Sequence, residues 1–379
     1  MTGRKRNRDC GSFIKMKTTS FNSIHKHLGA KFVEFAEYEM PVSYTSIIQE
    51  HNVVRNSVGV FDVSHMGEIE VRGNDAFAFV NYVTTNDVTK LERGKVQYSA
   101  MCYDNGGIID DLLVYHCHDY IQLVVNASNK DKDFDWLKSN ARNFSVELID
   151  RSDEISLLAI QGKNSLATLQ KISPVDLSQL KYYTFTYGKI AGVDALISRT
   201  GYTGELGFEI YFSANENDSE KLWNAMFDAG DEFRIQPCGL GARDSLRLEM
   251  GFCLYGNDID KTTTPLEASL GWITKLNKEN FIGKNILLQQ QHHGLKRKLV
   301  GFVLENDKAI PRQHYAIHSN GKQSGEVTSG TMSPTLNKGI GLGYVATEHL
   351  AIGNSIDVLI RNKQEKATIV KLPFVSIQL

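Results

Sequence analysis

The chain has 379 residues, 41% of them hydrophobic and 23% charged, a globular composition too long for one ordinary core. Lys and Arg (42) nearly balance Asp and Glu (44), so no charge excess points to nucleic acid or to a membrane surface. No apolar run approaches the roughly 18 residues needed to span a bilayer. Five cysteines (Cys10, Cys102, Cys117, Cys238, Cys253), none spaced C-x-x-C, argue against a disulfide framework or a zinc site and suit a reducing, cytoplasmic setting. Residues 1–15, with Arg4, Lys5, Arg6 and Arg8, form a basic extension without the apolar stretch of a secretory signal. It reads as an unstructured tail, or as sequence upstream of a true start at Met16; a short organelle-targeting arm is the alternative.

In chain order, Ile47, Ile48 and Val54 predict a helix over Ser46–Asn56. Gly67–Gly73 alternates as a strand, and Asn74 or Asp75 is placed to cap a helix carrying Phe77, Phe79, Val80 and Val83. Tyr98–Tyr103, Ile108–Tyr115 and Tyr120–Val125 predict strands joined by tight turns at Asp104–Gly107 and His116–Asp119. A helix at Lys130–Ser139 and a strand at Ser145–Leu148 complete one α+β unit. A second runs from about Ile155 to Gly251, with strands at Ile155–Ile160 and Gly207–Phe212 and a helix at Ser219–Ala229. After Lys298, short alternating runs at Leu299–Leu304, Gly325–Thr328, Gly341–Val345, Ile356–Ile360 and Ala367–Leu372 predict a small β-barrel or sandwich.

Three motifs carry chemistry. Gly106-Gly107-Ile108-Ile109-Asp110-Asp111-Leu112-Leu113-Val114 sets two carboxylates in an apolar strand. They point to opposite faces, so at most one meets a given pocket, where desolvation would raise its pKa toward proton-transfer range. A solvated turn edge or a structural ion pair is the competing reading. In Arg199-Thr200-Gly201-Tyr202-Thr203-Gly204-Glu205-Leu206-Gly207-Phe208-Glu209-Ile210, a glycine-rich loop enters a strand whose Phe208, Ile210 and Phe212 face the core. Glu209 then lies on the other face, either as an ordinary strand glutamate or as an acceptor for two N–H donors. In Gly239-Leu240-Gly241-Ala242-Arg243-Asp244-Ser245-Leu246-Arg247-Leu248-Glu249, Arg243 and Arg247 share a helix face suited to an anion, unless Asp244 and Glu249 pair with them. Gly341-Leu342-Gly343-Tyr344 mimics a dinucleotide loop but sits among short strands with no helix to follow. His65 reads as a structural histidine.

Taken in order, these blocks resemble the T-protein family of the glycine cleavage system. Phe61-Asp62-Val63-Ser64-His65-Met66-Gly67, Leu254-Tyr255-Gly256-Asn257-Asp258-Ile259, Pro265-Leu266-Glu267-Ala268 and Thr328-Ser329-Gly330-Thr331-Met332-Ser333-Pro334 add to the resemblance, which spans about Phe21 to Phe374. It implies an α+β, three-domain cloverleaf around a central folate funnel. Residues 16–61 and 152–258 would form one discontinuous domain, 62–151 and 259–291 a ferredoxin-like second, and 292–379 a C-terminal β-barrel. The implied reaction takes the aminomethyl group from the lipoyl arm of H-protein, releases ammonia and converts tetrahydrofolate, a co-substrate, to 5,10-methylenetetrahydrofolate. By motif position the resemblance implies Asp110 as the acid beside the folate N5 and Glu209 as reader of the pterin edge with Tyr202 near it. Tyr98, Val114, Asn126 and Met66 would line the pocket, Arg243 would touch the ligand, and Arg361 would meet the glutamyl tail. One departure is Glu37, in Phe35-Ala36-Glu37-Tyr38, where glycine is common in the family; it bears on local loop geometry. Rival readings are a demethylase on the same fold and a non-catalytic folate-binding protein; the Lys-Gly-Cys-Tyr-x-Gly-Gln-Glu segment of one such group is absent.

Overall fold

The computed structural model describes residues 16–377, so the basic extension and Cys10 lie outside the described residues. Two large sheets, a two-stranded hairpin and a barrel carry the described residues. The first sheet has six strands in the order Phe185–Ile190, Val193–Ser198, Gly207–Ser213, Ile155–Gln161, Gly59–Asp62, Gln236–Pro237. Strand Gly59–Asp62 pairs antiparallel with Ile155–Gln161, although some ninety residues of chain separate them (Asp62 to Ile155). The intervening chain builds the second sheet, antiparallel throughout, in the order Val96–Cys102, Ile108–His116, Ile121–Val125, Gly67–Arg72, Glu147–Asp150. Chain that follows the last strand of the six-stranded sheet returns to this one: Ile108 N–H donates to the carbonyls of Asp260 and Thr263 at 3.1 and 2.9 Å. Lys278 Nζ donates to the carbonyls of Thr84 and Asn86 at 2.5 and 2.8 Å.

Each sheet has one helix-covered face. Phe208, Ile210 and Phe212 pack with Leu222, Trp223 and Met226 of helix Glu216–Gly230, the face that alternation predicts. On the second sheet Ile69, Leu112, Val114 and Leu123 pack against Phe79, Val80 and Val83 of helix Ala76–Val83 and Leu137 of helix Lys130–Asn140. The two remaining faces meet each other. Phe61, Leu157, Ala159, Leu196 and Tyr211 from the first sheet interdigitate with Val96, Tyr115 and Val124 from the second. Residues facing this inter-sheet space are therefore shielded by both units.

Six strands after Lys296 close into a barrel: Arg297–Leu304, Lys338–Ala346, Lys322–Ser333, Ala316–Ser319, Ser355–Ile360 and Lys363–Val370, the last pairing back with the first. Alternation predicts five of these, and closure resolves the barrel-or-sandwich choice. The short strand Ala316–Ser319, with one buried aliphatic, Ile317, carries too little pattern to be read.

Local chemistry departs from expectation at two turns. Asp75 precedes helix Ala76–Val83 but does not cap it; its Oδ2 accepts from the Ser145 N–H at 2.7 Å. That bond ties Ser145 to the helix start and outside the strand, which begins two residues later than expected, at Glu147. At the hairpin joining Lys31–Phe35 to Tyr38–Ser43, Ala36 and Glu37 take φ of 50° and 67°. This left-handed turn favours glycine, and Glu37 adopts it with its carboxylate 3.6 Å from Lys17 Nζ.

Candidate active site

Strand Ile108–His116 places Asp110 and Asp111 on opposite faces, and the structure fixes which face is which. Asp110 shares the helix-covered face with Leu112 and Val114 and is fully buried. Its Oδ2 accepts the Asn126 backbone N–H at 2.9 Å, while its Oδ1 accepts Asn126 Nδ2 at 2.9 Å and Asn129 Nδ2 at 2.6 Å. The expectation that Asp110 faces the ligand is corrected: those bonds turn it toward helix Lys130–Asn140. Val114 is corrected for the same reason, because strand alternation sends it into the sheet–helix core, and Leu113 takes the place facing the inter-sheet space.

Asp111 is the carboxylate on the inter-sheet face. Tyr98 OH donates to its Oδ2 at 2.8 Å and Asn126 Nδ2 to its Oδ1 at 2.9 Å, so two of the expected positions, Tyr98 and Asn126, meet on Asp111, a residue the resemblance did not single out. Burial, and then the charge of Asp110, push its pKa up to about 7. A carboxyl poised there exchanges protons at neutral pH with little free-energy penalty in either direction. Met66 packs partly buried against the inter-sheet core.

The other wall comes from the six-stranded sheet and the helix Leu240–Glu249. Glu209 faces the inter-sheet side, as alternation predicts, and Thr200 Oγ1 donates to its Oε2 at 2.5 Å. Burial raises its pKa; the Thr200 bond and the charge of Arg243 work against that rise. No Lys, Arg or His comes within ion-pair distance of Glu209 among the described residues. A hydroxyl network not evident in the sequence backs it: Thr200 bonds Ser198 at 2.9 Å, and Tyr115 bonds Ser198 and Tyr211 at 3.1 and 2.9 Å. Arg243 has no ion pair among the described residues, and its guanidinium lies 4.7 Å from the centroid of the Tyr202 ring. Tyr202 stacks on Phe252 at 5.7 Å and donates its hydroxyl to the Cys253 carbonyl. Burial raises the Tyr202 pKa; the charges of Arg247 and then Arg243 work against that rise and the charge of Asp111 adds to it, so Tyr202 feels groups on both walls.

The arginine pair is split. Arg247 is buried, with Nη1 2.7 Å from Asp258 Oδ2, Nη2 2.7 Å from Asp244 Oδ1 and Nη2 2.9 Å from Ser329 Oγ. It is a structural clamp, leaving Arg243 as the free cation. Arg361 is exposed in the turn between Ser355–Ile360 and Lys363–Val370, with φ of 48°, and bonds none of the residues above. His65 is fully buried between Phe35 and Tyr38; burial and then Arg243 hold its pKa at about 3, so its ring is neutral. Sequence reasoning also missed Trp272, 62% exposed, whose ring lies 5.9 Å from that of Tyr98; a lone tryptophan among turns gave no signal.

A half-buried acid near neutrality, a carboxylate without a cation, and a cation without a carboxylate stand around flat aromatic faces, an arrangement chemically suited to acid–base work on a planar ligand that brings its own N–H donors and negative charge. Residues 21–278 match the GCVT N-terminal domain, and residues 297–376 match the glycine cleavage T-protein C-terminal barrel domain. An aminomethyltransferase of Halothermothrix orenii is 53% identical over 361 residues, covering 95% of this chain and 100% of the relative. One from Chloroherpeton thalassium is also 53% identical, covering 95% and 99%. The crystal structure of glycine cleavage system aminomethyltransferase T from Bartonella henselae superposes with a TM-score of 0.88 at 33% identity, covering 95% of this chain and 98% of that one. The chain belongs to the glycine cleavage T-protein family.

Proposed function

We infer that this protein is an aminomethyltransferase: it takes the aminomethyl group from the lipoyl arm of H-protein, releases ammonia and passes the carbon to tetrahydrofolate, giving 5,10-methylenetetrahydrofolate. The observation that carries the residue assignment is the position of Asp111, whose two oxygens are held by Tyr98 and Asn126 on the inter-sheet face. The reaction makes two C–N bonds to folate nitrogens and breaks one C–N and one C–S bond. Two N–H protons leave the folate; one completes ammonia and the other the dihydrolipoyl thiol. Asp111 accepts a proton from a folate amine as the bond forms and returns it to the departing amine, and its charge offsets the cationic carbon between those steps.

Glu209 accepts two N–H donors from the pterin edge, with Tyr202 along the ring and Met66 beside it. Arg243 meets a polar or anionic part of the folate, and Arg361 at the barrel turn is our candidate for the glutamyl tail. The four described thiols, Cys102, Cys117, Cys238 and Cys253, are buried and unpaired, which suits a cytoplasmic enzyme.

The test is folate-dependent ammonia release from aminomethyl-loaded H-protein. Asp111→Asn is expected to keep folate affinity while turnover falls by about 10²-fold or more. Unchanged turnover would remove Asp111 from the chemistry. Tight folate binding without ammonia release by the wild type would move the assignment to a demethylase or a folate-binding protein on this fold.

A further inference from the structure

The side of the strand that the reaction does not touch holds a second carboxyl pair. Asp133, on helix Lys130–Asn140, is fully buried against Asp110, and neither of its oxygens meets a donor from the rest of the protein. Lys132 Nζ stands 3.7 Å from Asp133 Oδ1, beyond hydrogen-bond reach, and spends its donors on the Ile109 carbonyl at 2.6 Å and Tyr255 OH at 3.2 Å. Two adjacent buried carboxyls hydrogen-bond only when one carries a proton. Burial, and then the charge of Asp110, push the Asp133 pKa well up, whereas Asp110 already receives three N–H donors. Burial raises the Asp110 pKa as well, and the bonds from Asp133, Asn126 and Asn129 work against that rise. The proton belongs on Asp133, which has no other partner among the described residues, and the charge on Asp110, which has three N–H donors.

That charge is coupled to the reacting face through one side chain. Asn126 Nδ2 lies 2.9 Å from Asp110 Oδ1 and 2.9 Å from Asp111 Oδ1, so its amide bridges the two faces of the strand. The Asn126 N–H to Asp110 bond fixes the backbone from which that amide projects. We propose that Asp110 and Asp133 are positioning residues, a proton-sharing pair that acts through Asn126 to hold Asp111 in place and sets the pH at which Asp111 takes up its proton. The inference rests on the reading of Asp111 as the reacting acid.

Other charges face these groups too. Around Asp111 stand Tyr98, Tyr202, Tyr183 and Cys253, and around Asp110 and Asp133 stand Lys132 and Tyr255. The tyrosines and the thiol are neutral near pH 7, since their own pKa values are raised, so the Asp110 carboxylate is the nearby negative charge that Asp111 feels.

The experiment is the pH profile of kcat/KM in the full-length protein with loaded H-protein. Asp110→Asn removes the charge behind Asp111 and is expected to move the acidic limb down by about one pH unit. Asp133→Asn still donates an N–H to Asp110 and is expected to leave the limb within a few tenths of a unit of wild type. A lowered rate in Asp110→Asn with the limb unmoved would reduce Asp110 to a packing role and overturn the proposal. If Asp110→Asn does not fold, infrared spectra of 13C-aspartate-labelled protein above pH 8 decide. The proposal requires a protonated aspartate signal that Asp133→Asn abolishes and Asp111→Asn retains; persistence in Asp133→Asn overturns it. Failure of the underlying reading looks different, because then Asp111→Asn itself keeps its turnover.

Discussion

At the scale of single residues, what a side chain can do depends on which partner reaches it first. Arg243 and Arg247 are one helical turn apart with the same chemistry, yet Arg247 is used up by Asp244, Asp258 and Ser329 while Arg243 stays free. Glu209 is the complementary case: half-buried, bonded by Thr200, and without a cation among the described residues. Replacing it by Gln removes the charge and one acceptor, so folate is expected to bind about ten- to a hundredfold more weakly, the range of a hydrogen bond to a charged group. Its raised pKa adds a pH signature. Wild-type affinity should fall on acidification as Glu209 takes up a proton, and the Glu209→Gln variant should lack that limb; titration calorimetry at a series of pH values reads both. Spacing alone placed Glu209 on the correct face because Phe208, Ile210 and Phe212 define a core side. It did not do so for Asp110 and Asp111, because both faces of their strand are buried. One covers helices and the other a second sheet, and hydrophobicity does not distinguish them.

At the scale of elements, hairpins and amphipathic helices were the most legible, since their signals are local. Strand Ile108–His116 and its neighbours follow from alternation and the Asp104–Gly107 turn, and helix Ile47–Asn56 begins at Ser46, whose hydroxyl accepts the Gln49 N–H at 3.2 Å. Strands Phe185–Ile190 and Val193–Ser198 escaped notice, the first carrying Gly188 and Lys189 and only two buried residues at its ends. The glycine run Gly341-Leu342-Gly343 shows why a motif needs its context. It lies in the barrel strand Lys338–Ala346, where a Cβ on Gly341 would stand 2.5 Å from the Phe302 ring and one on Gly343 would stand 2.6 Å from Ile317. These glycines make room for large barrel side chains; they bind no phosphate. Gly341→Ala is expected to destabilise the barrel by about 1–3 kcal/mol, the cost of overpacking. The thermal unfolding midpoint should drop, and Phe302→Leu in the same chain should recover part of the loss. No recovery would locate the strain elsewhere.

At the scale of the whole molecule, the site needs its units to stay in register, and the helix Leu240–Glu249 is where they are fastened. Arg243, near its start, lies over the Tyr202 ring; Arg247 reaches the barrel through Ser329; and Glu249, at its end, gathers a buried network. Arg55 Nη2 is 2.9 Å from Glu249 Oε2 and His51 Nε2 3.2 Å from it, both from helix Ile47–Asn56, while Ser333 Oγ and the Thr335 N–H donate to Oε1 at 2.5 and 3.1 Å. Burial alone would raise this carboxyl's pKa. The bond from His51, then that from Ser333 and the charge of Arg55, outweigh burial and hold the pKa at about 2, against 4.5 unperturbed. A depressed carboxyl stabilises the fold above its unfolded value and loses that contribution as pH falls toward the folded one, so the window runs from about 4.5 down to about 2. At neutral pH the linkage is worth about 3 kcal/mol, similar to the cost of breaking a buried ion pair. Glu249→Gln should therefore unfold at a clearly lower temperature than wild type at pH 7, and the gap should narrow as both are acidified below about pH 4. Because the lost contacts join the barrel to helix Ile47–Asn56, amide exchange in strand Lys322–Ser333 should accelerate before that in the five-stranded sheet. A gap that stays constant with pH would assign the effect to packing and leave the charge of Glu249 without a role in holding barrel and sheets together.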